Sequence, residues 1–207
     1  MPNESTKRTY RMRRRAELQE QTRLRITEAA MELHGTLGPA RTSVTAVAER
    51  AGVERATVYR HFPDERALFL ACSGHWRAVN PAPDLAAWAA MADPEVRLQH
   101  GLAELYAFYG RTEPMLVNLL RDEAVVPMVA ELMAGGFRAY LGAARDTLLR
   151  GRGERGRARR DVRAALGHAV SFTTWSSLVR AEGLDEAQAV RLMCGLVVTA
   201  GRAMPRG

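Results

Sequence analysis

From Ala16 the chain carries apolar residues at helical spacing, Leu18, Ile26, Ala29, Ala30, Leu33 and Leu37, with Glu, Gln and Arg on the other face. This pattern predicts a helix that Gly38-Pro39 stops. Thr42 and Ser43 offer a hydroxyl cap for a short helix to about Arg50, and Ala51-Gly52-Val53 is a tight turn. A further short helix runs from about Glu54 to His61, and Pro63 fits the first turn of the next, which carries Leu68, Phe69 and Cys72. Asn80-Pro81-Ala82-Pro83 breaks the chain and marks a hinge. Asp93-Pro94-Glu95 starts another helix, expected to end near Gly110 and to restart at Glu113-Pro114. Pro127 opens a long segment through Phe137, Tyr140, Leu141 and Leu148. The Arg/Gly stretch 150–160 reads as a loop, followed by helices over about 161–181 and 185–203. No run alternates with period two, so the expected class is all-α. Three segments are predicted: a basic arm without structure (1–15), a first domain (16–80) and a second, helical-bundle domain (81–207).

The last two helices are apolar on more than one side. In 185–203, Ala189, Leu192, Met193, Leu196 and Ala200 form one stripe, and Val190, Cys194, Val197, Val198 and Gly201 a second. The preceding helix repeats this with Val162, Leu166, Ala169, Val170, Phe172, Trp175, Leu178 and Val179. A helix apolar on two sides must bury both. One side faces its own core; the other faces a second copy in a two-fold homodimer, or lies sandwiched within one subunit.

The composition is that of an ordinary globular chain of 207 residues, 47% hydrophobic and 26% charged. No run of apolar residues is long enough for a transmembrane helix, and the basic N-terminus lacks the apolar stretch of a secretory signal. Cys72 and Cys194 stand far apart, which fits a reducing cytoplasm better than a disulfide framework. The charge is more telling: net +7, with Lys7 the single lysine and every other basic residue but histidine an arginine. Residues 1–25 hold Lys7, Arg8, Arg11, Arg13, Arg14, Arg15, Arg23 and Arg25 against Glu4, Glu17 and Glu20. A second basic block occupies 150–163. Arginine is the better fork for phosphates and base edges, so an anionic partner is expected.

Residues 43–62, SVTAVAERAGVERATVYRHF, show where that partner would sit. Two helices crossing closely need a small residue, Ala48, and the turn between them needs one that tolerates positive φ, Gly52. Val44, Val47, Ala51, Val53 and Val58 supply an apolar inner face. The second helix then presents Arg55, Thr57, Tyr59, Arg60 and His61 outward, the cations, hydroxyls and phenol that reach phosphates and base edges. An αα-corner with a solvated polar face is the plainer reading of the Ala-x-x-x-Gly spacing alone. Ser43, Val47-Ala48, Ala51-Gly52-Val53, Thr57 and Tyr59-Arg60-His61-Phe62, followed by Leu68, together resemble the DNA-binding domain of TetR/AcrR-type transcriptional regulators. The resemblance covers about 17–70. It implies an N-terminal three-helix domain with a helix-turn-helix, and a C-terminal helical bundle that dimerises and binds a small molecule. It also implies a repressor whose homodimer holds a palindromic operator in double-stranded DNA and releases it when the ligand binds. Carried over by position, Ser43, Thr57, Tyr59 and His61 are expected at phosphates, Arg55 and then Thr45 at bases, with Arg60 beside them. The arm's arginines would enter a minor groove, add salt-sensitive affinity, or form only a solvated tail. Two positions depart from the family pattern: Glu65 stands where a Lys usually opens the fourth helix, and Glu54 where a hydroxyl residue usually caps the third.

Other signals carry less. Gly151-Arg152-Gly153-Glu154-Arg155-Gly156 spells GxGxxG, but no apolar strand precedes it. His34, His75, His100 and His168 lack metal spacing, and no nucleophile elbow, zinc motif or paired carboxylate appears, so neither a cofactor nor catalysis is expected. For an effector, Tyr106, Tyr109, Met115, Asn118, Asp122, Phe137, Phe172 and Trp175 are the candidate lining, apolar and aromatic with a few polar anchors. The alternative reading keeps DNA binding without a ligand, as in a nucleoid-associated protein.

Overall fold

The computed structural model describes residues 4–202, and no strand occurs among them. The helices run α1 (Glu4–Thr36), α2 (Val44–Ala51), α3 (Arg55–His61), α4 (Glu65–Val79), α5 (Leu85–Ala89) and α6 (Pro94–Asp122). They continue with α7 (Pro127–Leu132), α8 (Ala139–Leu148), α9 (Gly156–Ala169), α10 (Phe172–Ser176) and α11 (Glu186–Gly201). A 3-10 turn at Pro39–Arg41 follows α1, and π-turns at Met133–Arg138 and Ser177–Ala181 join α7 to α8 and extend α10. No single described helix is long and apolar enough to cross a membrane.

Two compact units result. The first holds the chain through Pro81 together with Pro114–Val129; the second holds Ala82–Glu113 and the chain from Ala130 onward. In the first, Ile26, Ala29 and Ala30 of α1 close over Val44, Val47, Ala48 and Ala51 of α2, Val58 of α3, and Phe62, Leu68 and Cys72. Burying a side chain such as Ile26 or Phe62 stabilises by about 1.5–3 kcal/mol each. The last carbonyls of a helix lack partners within it. Here Asn118 Nδ2 donates to the carbonyls of His34 (3.0 Å) and Gly35 (2.8 Å), and an Arg121 guanidinium NH2 donates to that of Leu37 (2.8 Å). Asp122 Oδ2 accepts from the Ala40 amide at 3.0 Å. In the second unit α11 packs along α9 and α5 against α8, with Trp88 fully buried.

Several boundaries differ from the sequence pattern. Residues 4–15, expected as an unstructured arm, are the opening turns of α1; residues 1–3 lie outside the described residues. Arg, Lys and Met, which supply seven of these twelve residues, are good helix formers, and extending a helix already nucleated by the buried Ile26 stretch is cheap. Pro63 lies before α4 rather than in its first turn, because Asp64 takes the cap and accepts from the Ala67 amide at 2.7 Å. The break expected at Gly110 is absent: α6 runs through Pro114, and the cost of a helical proline is outweighed by Tyr109 on one side and Leu116 on the other, each buried within its own unit. Between the proline break and Asp93 the chain forms the short helix α5, which Asp84 caps through the Ala86 amide at 2.8 Å. The helix expected over 161–181 is interrupted at Val170-Ser171, where Ser171 caps α10. On α11, Ala189, Val190, Met193 and Val197 turn inward while Leu192 and Leu196 stay exposed, so the two stripes divide otherwise than their spacing suggested.

Candidate nucleic-acid interface

The turn between α2 and α3 is set by Gly52, which sits in the left-handed region at φ 64°, ψ 42°. Its amide and that of Val53 return to the Ala48 carbonyl, the latter at 3.0 Å, and finish α2. Ser43 Oγ accepts from the Ala46 amide at 3.1 Å and caps α2, leaving its own proton to donate outward. Glu54 caps α3 by backbone alone, without a side-chain bond. Val58 is the residue of α3 that is fully turned inward, and this fixes the opposite face as the exposed one.

That face brings together Arg55, Tyr59, Arg60 and the edges of Thr57 and His61. A guanidinium NH2 of Arg55 lies 3.3 Å from Tyr59 Oη, and the guanidinium stands 5.5 Å from the phenol ring. An Arg60 NH2 donates to Thr57 Oγ1 at 2.9 Å. Burial lowers the His61 pKa below its ordinary value, and Arg60 and Arg23 lower it further against Glu20. The imidazole is therefore neutral at pH 7 and offers one N–H. Ser43 and Thr45 stand exposed at the start of α2. Glu65 opens α4 in solvent, and its charge acts on Arg55.

Arg23 was not among the residues picked from the sequence. One of its guanidinium nitrogens donates to the His61 carbonyl at 2.7 Å, and its guanidinium stacks 4.2 Å above the Phe62 ring. It thus caps the C-terminus of α3 from α1, where a cation is favourable. Its position one turn before Ile26 is visible in the sequence, but nothing local ties it to a carbonyl 38 residues on.

The candidate effector residues separate. Tyr106, Tyr109, Phe137, Phe172 and Trp175 form one aromatic layer in the second unit, with Tyr109 within 6.3 Å of each of the other four ring centroids. Tyr106 Oη donates to the Ala169 carbonyl at 2.9 Å and Tyr109 Oη to that of Val170 at 2.5 Å, so these phenols finish α9. Burial pushes both far above the ordinary tyrosine range, and they remain protonated donors. Trp175 Nε1 is buried and meets no acceptor among the described residues. Met115, Asn118 and Asp122 lie in the first unit instead, where Asn118 and Asp122 hold the end of α1. Among the described residues no group of His, Cys, Asp and Glu is placed to hold a metal ion.

Residues 26–72 match the model of the family described as bacterial regulatory proteins, tetR family. No curated protein matches the chain. Among solved structures, the chain is similar to a candidate fatty acid metabolism regulator of Clostridium perfringens, with 15% identity, 87% of this chain and 99% of that one covered, and a TM-score of 0.63. A protein of Mesorhizobium loti described as a candidate TetR-family transcriptional regulator matches with 18% identity, 88% and 96% covered, and a TM-score of 0.60. The transcriptional regulator FadR of Bacillus subtilis, solved with stearoyl-CoA, matches with 16% identity, 87% and 99% covered, and a TM-score of 0.59. At these identities the likeness is one of fold.

Proposed function

We propose, from the match of residues 26–72 to the tetR family of bacterial regulatory proteins, a dimeric repressor that holds a palindromic operator and lets it go when a small apolar or amphipathic molecule binds. The observation that carries the DNA-binding half is the exposed face of α3, where Arg55, Thr57, Tyr59, Arg60 and His61 stand on a helix fixed by Gly52 and by Arg23. Arg55 reads a base, with Thr45 beside it, while Ser43, Thr57, Tyr59 and His61 hold the backbone. The homodimer reading draws on Leu192 and Leu196, exposed one turn apart on α11. The ligand reading draws on the aromatic layer around Tyr109 and on the unbonded Trp175 Nε1, a donor available to an acceptor on the ligand. FadR was solved with stearoyl-CoA, and a ligand with a long apolar part suits the aromatic layer of this chain. Such a protein works in the cytoplasm.

Fluorescence anisotropy against DNA upstream of the coding region, with random duplex as control and a salt series, tests this. Tight binding to one palindromic segment at salt that removes the random-duplex signal is expected, and Arg55→Ala should flatten preference at one base position at a cost of about 1–3 kcal/mol. Equal, steeply salt-dependent binding to both duplexes would instead favour a ligand-independent, nucleoid-type binder.

A further inference from the structure

The inner edge of α3, with Thr57 and His61, shares with α1 a groove whose α1 wall base reading by Arg55 does not use. Its volume is about 830 Å3. Arg15, Gln19, Thr22 and Arg25 wall it from α1, and Thr57 and Arg60 from α3. Because α1 reaches back to Glu4 as helix, Arg8 and Arg11 continue the stripe of Arg15, Gln19 and Thr22 at steps of three and four residues. At 1.5 Å per residue the stripe from Arg8 to Thr22 is about 21 Å long.

The cations in this groove are not equivalent. Arg23 is committed to the His61 carbonyl and the Phe62 ring, and Arg60 to Thr57. Arg15 and Arg25 are exposed, and no carboxylate among the described residues pairs with them. Arg13, on another face of the helix, does have its acid, Glu17, at 3.2 Å. Glu20 is the one carboxylate in the wall. Uncommitted guanidiniums beside hydroxyl and amide groups match the tetrahedral oxygens of phosphate.

We propose that this groove seats the phosphodiester backbone of the DNA whose major groove α3 enters, with Arg15 and Arg25 as the phosphate ligands and Arg8 and Arg11 following the strand beyond. The inference rests on the DNA-binding reading above and deepens it. It makes the basic N-terminal segment a rigid, sequence-blind backbone contact, not a flexible arm in the minor groove. Affinity contributed there is the same for every sequence and is lost with salt.

The test compares the full-length wild type with the Arg15→Gln/Arg25→Gln double variant on a random-sequence duplex over a salt series. Gln keeps helix propensity and length, and unchanged thermal melting confirms folding. Each phosphate contact removed lowers the slope of log K against log salt by about 0.9, so the double variant should lose about 1.8. Arg159→Gln/Arg160→Gln, which removes the same charge from α9, should leave the slope where it was. A slope unchanged in the double variant while wild type binds duplex overturns the groove alone, as does an equal fall in the α9 control. Wild type that binds no duplex overturns the DNA-binding reading and this inference with it.

Discussion

The helix-turn-helix and the aromatic layer of the second unit are both well buried, yet they use burial in opposite ways. In the first, small aliphatic residues such as Val44, Val47, Ala48 and Val58 face inward and leave the polar side chains of α3 outside, free to meet a partner. In the second, the polar atoms themselves are inside, and Tyr106 and Tyr109 spend their hydroxyls on the end of α9. A surface site of the first kind is specified by local rules of capping and spacing. A site of the second kind depends on which buried donors the protein has left unspent, and in this layer that donor is Trp175 Nε1.

The comparison is broken most severely by Phe62→Ala. Phe62 is 1% exposed, closes the core beneath α3 and carries the Arg23 guanidinium on its ring. Truncation should cost about 3–5 kcal/mol and abolish DNA binding. Hydrogen exchange in the second unit should stay at the wild-type level. Wild-type DNA affinity in this variant would mean that α3 is not the element that docks.

The same contrast explains what could be read from residues alone. Ser43, Ala48, Gly52 and Val58 announce their roles because a cap, a close crossing, a positive φ and an inward face are set within a few residues. The Arg23 clamp, the grip of Asn118 on His34 and Gly35, and the passage of α6 through Pro114 depend on partners tens of residues away, or on packing that overrides local propensity. Asn118 and Asp122 looked like polar anchors of a ligand site because polar groups in an apolar helix need partners. They have them, in the carbonyls and the amide at the end of α1. The opening turns of α1 leave no helical mark in the sequence because they carry no apolar period.

A smaller effect separates the units from the other side. Tyr109→Phe keeps the ring among Tyr106, Phe172 and Trp175 but leaves the Val170 carbonyl without its donor. A buried acceptor left unsatisfied costs about 1–3 kcal/mol. Chemical denaturation should show that loss. The DNA affinity of the folded variant should not change, and a matching loss there would mean that the phenol has a part in binding.

The gentlest probe is pH, and its sign follows from His34. This side chain is 9% exposed, with Cys72 Sγ at 3.2 Å from its Nδ1 and the Phe69 ring 5.7 Å away. Burial lowers its pKa to about 4, against the opposing charge of Asp122. Asp122 is itself held ionised, mainly by Arg121, and burial pushes the Cys72 thiol up to about 12, so neither changes charge in mildly acid solution. In the unfolded chain the imidazole takes a proton near the ordinary 6.5. Between that value and about 4 the unfolded state therefore binds more protons than the folded one, and stability falls as pH falls, by at most about 1.4 kcal/mol per unit. Below about 4 both states are protonated and this contribution levels off. Hydrogen exchange should show the amides of α1 and α4 losing protection through this window, while the aromatic layer, whose phenols stay protonated throughout, keeps its own. His34→Gln should remove its own share of the slope and leave only what His61, also held below its ordinary value, contributes. An unchanged slope in that variant would mean that the acid sensitivity belongs to another group.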